Sequence, residues 1–202
     1  MRTVVSIVEG DGEVVALPVL LRRLGQWLSP ELHFNIAPPI RVKRARFLNN
    51  LNEFKRTLEF AASKCTAEGW ILILLDADQD CPMLLGKEIL ERAQALVKHR
   101  RISVVLPKCE YEAWFIAAAS SLHGKRGFSY VADEISECES IRGAKEWMSH
   151  RIIGGKYREV TDQPAFSAQM DLASAKRMSR SFRKLCTEWS SNFTALMPPD
   201  NF

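Results

Sequence analysis

Glu9 directly follows a short apolar run at residues 4–8, and Asp76 and Asp78 follow a second at residues 70–75. Carboxylates are hard oxygen donors. They suit Mg2+ or Mn2+, which takes one or two carboxylates, keeps waters and draws further ligands from phosphate. Side chains alternate beyond a strand end, so Asp76 and Asp78 are expected to face one side and share one ion. Without a cation such a group repels itself, and one member is driven toward its protonated form. Glu110 and Glu112 follow a third apolar run, residues 102–106. Each acid has an ordinary alternative, because a carboxylate after a strand also caps the next helix or complements its dipole. Asp80, ahead of Pro82, is a candidate cap, and Glu112 is as much a dipole partner as a ligand. Their joint occurrence at the ends of separate apolar runs favours a site.

The elements that must position these groups alternate in type. The runs at 4–8, 70–75 and 102–106 lack polar alternation, as strands buried on both faces do. Between them, Val15, Leu17, Leu20, Leu21, Leu24 and Leu28 fall at helical spacing. Pro18 is expected near the first turn of that helix. Residues 33–42 form an extended piece interrupted by Pro38 and Pro39. Helices are expected over 47–67, 83–97 and 110–122, then near 140–150 and 173–189, with a loop at 153–156. The pattern predicts an α/β fold, a compact parallel sheet flanked by helices, with a mainly helical C-terminal extension. Residues 1–127 would be the α/β domain and 128–202 the extension packed on it. In such a sheet ligands bind at the carboxyl ends of the strands, where the acids lie.

Composition sets the remaining bounds. Of 202 residues, 47% are hydrophobic and 26% charged, an ordinary globular balance. The first apolar run is too short for a secretory signal or a membrane span, which predicts a cytoplasmic protein without a membrane partner. The five cysteines form no C-x-x-C pair, which argues for reduced thiols over zinc or disulfides. A net charge of +4 permits a nucleic-acid partner without requiring one. Basic residues cluster at 41–46, at 98–101 and over 176–184. The last cluster is a candidate contact face for nucleic acid or an acidic partner. Trp114, Phe115, Trp147 and Trp189 read as core.

Rival motifs fail on particular residues. An EF-hand loop starting at Asp76 needs Gly and Glu where Cys81 and Lys87 stand. Gly10-Asp11-Gly12 lacks the Gly-Lys-Ser/Thr of a phosphate loop. No G-x-S-x-G elbow supports serine catalysis. A haloacid-dehalogenase phosphatase would carry Asp-x-Asp after its first strand, where this chain has Glu9.

Ile7-Val8-Glu9-Gly10 with Glu13, followed by Leu74-Leu75-Asp76-Ala77-Asp78, resembles the TOPRIM domain of topoisomerases, primases and the overcoming-lysogenisation-defect nucleases. The stretch from Val105 through Glu110-Tyr111-Glu112-Ala113-Trp114-Phe115, with Asp162-Gln163-Pro164-Ala165, resembles the TOPRIM-like bacterial family of unknown function DUF4276. The resemblance implies metal-bound Glu9, Asp76 and Asp78, with Glu13, Asp80 and Glu112 as candidates for a second metal. Gln79-Asp80-Cys81-Pro82 departs from the nuclease branch, which has Gly after its DxD. The resemblance also implies an ATPase partner in a bacterial defence locus. From the residues, Lys108 is a candidate to steady charge on phosphate.

The leading expectation is therefore a Mg2+- or Mn2+-dependent nuclease, a phosphodiester hydrolase acting on DNA or RNA. The alternative is a non-catalytic binding module that partners an ATPase. Phosphoryl transfer to a small molecule is a third reading.

Overall fold

The computed structural model describes residues 2–131 and 137–193. Parts of the expected 128–202 extension, residues 132–136 and 194–202, lie outside the described residues.

The first strand, β1 (Arg2–Val8), is apolar and buried almost throughout, and Gly10 turns it into α1 (Asp11–Leu28). Pro18 lies inside α1, further along than expected. The helix begins directly after Gly10, so the proline sits beyond its first turn. The extended piece divides into β2 (Phe34–Ile36) and β3 (Ile40–Arg41). Pro38 and Pro39, which have no N–H to give a ladder, separate them. β2 pairs with the first half of β1 and β3 with its end, both in parallel.

The helix expected over 47–67 is two helices, α2 (Arg44–Asn49) and α3 (Leu51–Lys64). Asn50 parts them by adopting an extended backbone, and its side chain accepts the Glu53 N–H as an N-cap. Next come β4 (Trp70–Leu74), α4 (Pro82–Leu96) and β5 (Arg101–Val105). Pro82 occupies the first turn of α4, where a missing N–H costs nothing. The helix expected over 110–122 is α5 (Ala113–Ala117) and α6 (Ala119–Leu122), broken at Ala118. Four further α-helices follow among the described residues: α7 (Ala144–His150), α8 (Glu159–Ser167), α9 (Leu172–Met178) and α10 (Arg180–Phe193).

The strand order is β2-β1-β4-β5, all parallel. The strands are apolar on both faces because both are covered. On one face Val5, Ile7, Ile71, Ile73 and Val104 meet Phe47, Phe54, Leu58 and Ile89 of α2, α3 and α4. On the other, Val4, Val8, Trp70, Leu72 and Val105 meet α1, α5 and the C-terminal helices through Trp114, Phe166, Phe182 and Trp189. That core joins residues from both sides of position 127. Among the described residues, no helix is long and apolar enough to cross a membrane.

Candidate metal centre

Strand register brings the acidic residues to one edge. Ile7 pairs with Ile73 and Leu74 with Val105, so Glu9, Asp76 and the 107–112 turn leave the sheet side by side. Parity then sets direction. Asp76 continues the Trp70, Leu72, Leu74 series, which faces α1 and the C-terminal helices. The groups acting on it are accordingly Glu13, Glu112, Lys145 and Glu110. Burial first, then Glu13 and Glu112, push its carboxyl well above the usual range. Glu9 is also raised, by burial and then by Asp78, while Arg44 pulls it down.

Glu112 is completely buried. Its Oε1 accepts the Tyr157 hydroxyl at 2.8 Å and the Gln163 amide at 3.2 Å. Its Oε2 is buried and has no hydrogen-bond partner. Burial drives this carboxyl up to about 7, against the pull of Lys145 and the Tyr157 hydrogen bond. The same Gln163 amide reaches Glu13 Oε1 at 3.5 Å, and Glu13 Oε2 accepts the Gly10 N–H. Gln163 thus spans the first turn of α1 and the entry to α5. The approach is close enough that a Cβ on Gly12 would collide with the Gln163 amide.

One cation stands among these acids. Lys145, in the first turn of α7, ion-pairs with Glu159 at 3.0 Å, and its backbone N–H donates to Glu110 at 3.2 Å. Burial works against its charge, yet Glu112, Glu159 and Asp76 hold the ammonium above its ordinary value. A family model described as a domain of unknown function, DUF4276, matches residues 8–189. The chain belongs to this family. No curated protein and no solved structure matches it.

Both distinctive sequence blocks of this DUF4276 chain now have physical roles. In the first, Tyr111 bonds Ser167 at 3.0 Å and Trp114 donates to Ser181 at 2.8 Å, which pins the Glu112 turn to the C-terminal helices. In the second, Asp162 accepts the Arg126 guanidinium at 2.6 Å and the Arg158 N–H at 2.7 Å. These bonds fix the start of α8 and thereby aim Gln163.

The second aspartate of the DxD takes another course. Asp78 adopts a left-handed backbone, φ 49°, and its N–H donates to the carbonyl of Cys109, which is also left-handed at φ 67°. Asparagine and aspartate tolerate that region better than other non-glycine residues, so the alternation argument stops at this turn. Asp78 instead pairs with Arg44 at 3.3 Å, and Asp80 pairs with the same guanidinium at 2.5 Å. Asp80 does not cap α4. With Pro82 as the first residue of α4, Cys81 occupies the N-cap position, without a side-chain hydrogen bond there. Lys108 is exposed and faces a groove beside Gln79 and Asp80, whereas Asp76 and Glu112 feel Lys145.

As they stand, the described His, Cys, Asp and Glu side chains form no group of three able to grip an ion. Sequence reasoning did not single out Lys145 or Tyr157. Neither lies in a motif with chemical spacing, and only the packing of α7 and the 157 turn on α5 brings them in.

Proposed function

We propose that this DUF4276 chain is a divalent-metal-dependent phosphodiester hydrolase of the TOPRIM type, acting on DNA or RNA. The observation that carries the reading is the bare Oε2 of Glu112, a fully buried carboxylate oxygen without a donor in a cluster that includes Asp76 and Glu13. A buried charge left unsatisfied costs several kcal/mol, on the order of the penalty for an unpaired ion, and a bound cation offsets it. Glu9, Asp76 and Glu112 would hold Mg2+ or Mn2+, with Glu13, Asp78 and Asp80 as the outer acids. The ion would supply Lewis-acid charge at the phosphoryl oxygens.

The chain's own residues do the rest. Tyr157 and Gln163 fix one oxygen of Glu112 and leave the other bare. Lys145 adds a positive charge beside Asp76 and Glu112, where negative charge would otherwise gather. Glu9, Asp76 and Glu112 are all raised in pKa, Glu112 to about 7, so protons compete with a cation for them and binding should strengthen as pH rises.

The test is incubation of single- and double-stranded DNA and RNA with Mg2+ or Mn2+, comparing wild type with Asp76→Ala. Cleavage by the variant should fall on the order of 10³-fold, as for loss of a group that stabilises transition-state charge, with the circular dichroism spectrum unchanged. Equal cleavage by both proteins would refute the reading.

Arg44 favours a second reading. It engages Asp80 and the second aspartate of the DxD, Asp78, as suits a TOPRIM-like module that recognises phosphate without cutting and docks on an ATPase in a defence system. A wild type that is stabilised by Mn2+ but leaves every nucleic acid intact would support it.

A further inference from the structure

A groove of about 990 Å³ runs from the turn after Asp78 along the outer side of β5, between α4 and α10. Its lining reaches Gln79, Asp80 and Cys81, directly after the DxD, without including Glu9, Asp76 or Glu112. Its floor is aliphatic, formed by Leu90, Val104, Leu106 and Met178. Lys87 from α4, Lys108 from the turn after β5, and Arg180, Arg183 and Lys184 from α10 bring positive charge to both walls.

Of the three acids in the same lining, Asp80, Glu137 and Glu139, two are turned to other partners. Asp80 is held by Arg44, and Glu139 accepts the hydroxyls of Ser179 and Ser181 and the Ser181 N–H. Hydrogen bonds from these serines offset the burial of Glu139 and hold its carboxyl below the usual range. Among the described residues, Lys108 and Arg180 have no ion pair, while Lys87 and Lys184 make only same-helix pairs, with Glu91 and Glu188. Such exposed helical pairs are weak and leave both ammonium groups able to exchange partners. Five cations against three acids leave the described lining net positive above an apolar floor.

We propose that this groove binds single-stranded nucleic acid and leads it to the centre. The proposal rests on the phosphodiesterase reading for its direction but not for its binding. Phosphates match cations on two walls, and the floor takes the flat, apolar faces of bases, which a duplex keeps stacked inside. Continuity with the DxD turn favours a strand over an acidic protein segment, which would have no reason to end at the acids.

The test is fluorescence anisotropy of a labelled oligothymidylate in EDTA, so that no cleavage is needed. Arg183→Glu combined with Lys184→Glu should weaken binding about tenfold or more at moderate salt. For wild type, five phosphate contacts predict a slope of log affinity against log salt near about −3.5; the variant should show a shallower slope. Arg183→Ala with Lys184→Ala should give a smaller loss in the same direction, covering any folding defect of the reversal. Lys55→Glu with Arg56→Glu, on the exposed side of α3, carries the same charge change and should leave binding within about twofold, as expected for surface charges outside a site. Binding in EDTA is read without metal or cleavage, so a failure of the hydrolase reading leaves this result intact. Equal weakening by the groove and α3 variants, or no weakening by either, would overturn the proposal. So would a polyglutamate peptide that binds more tightly than the strand with the same groove dependence, assigning the surface to an acidic protein.

Discussion

The two faces of the sheet solve different problems with the same strands. Against α2, α3 and α4 the buried contacts are chiefly aliphatic, with the Phe47 and Phe54 rings tilted against each other at 4.7 Å. Against α1 and the C-terminal helices the core is aromatic and encloses Glu13, Glu112, Gln163, Tyr157 and Ser167. A buried polar group is tolerable only when it is hydrogen-bonded, and a buried carboxylate only when it is also charge-matched. The second face meets that condition only in part: α7, α8 and the 157 turn bring donors and a cation to it, while Glu112 Oε2 and Gln163 Oε1 stay without a partner. The first face has no such supply and keeps its ions at the rim, as Arg44 does with Asp78 and Asp80.

Three substitutions test that contrast. The largest effect is expected at Glu112. Its folded pKa, near 7, lies above the ordinary carboxylate value, so its contribution to stability is present at acid pH and is lost as pH rises through about 7. Without divalent cation, Glu112→Gln should remove this share and be more stable than wild type near pH 8 by about 3 kcal/mol. It should also lose most of the stabilisation that Mn2+ gives wild type. Urea unfolding at pH 5 and pH 8 reads the first effect, and a thermal shift with Mn2+ reads the second; identical pH slopes in both proteins would remove Glu112 from the account.

Gly12→Ala comes next. The added methyl meets the Gln163 amide, and overpacking at a buried site costs about 1–3 kcal/mol. Urea midpoints should show the loss, and Gln163→Ala in the same chain should recover part of it. The smallest effect belongs to the other side. Arg44→Ala breaks pairs with exposed acids and should cost no more than about 1 kcal/mol. Release of Asp78 should also strengthen Mn2+ binding, measured by titration calorimetry. Unchanged affinity would show that Asp78 plays no part in holding an ion.

Much of the α/β frame was legible because buried parallel strands are continuous apolar runs, and residues 4–8, 70–75 and 102–106 are such runs. The breaks at Asn50 and Ala118 were not, since hydrophobic spacing continues across both. Pro18 misled for a related reason. Proline chemistry restricts where a helix starts, but the turn at Gly10 and packing against the sheet decided it. In the candidate site, Glu9, Asp76, Asp78 and Glu112 stood out as acids at strand ends. Which of them face one another depends on strand parity, on the left-handed turn at Asp78 and on the position of Arg44.

The sequence by itself determined that acidic groups cluster at the carboxyl edge of a parallel sheet, because apolar runs form the strands and polar residues must follow where they leave the core. Tertiary structure alone decided that Glu112 keeps one bare oxygen, that Lys145 supplies the nearby positive charge and that Asp78 turns to Arg44. Those outcomes come from helices far along the chain packing on one face, and contacts between distant segments leave no periodic trace in the order of residues.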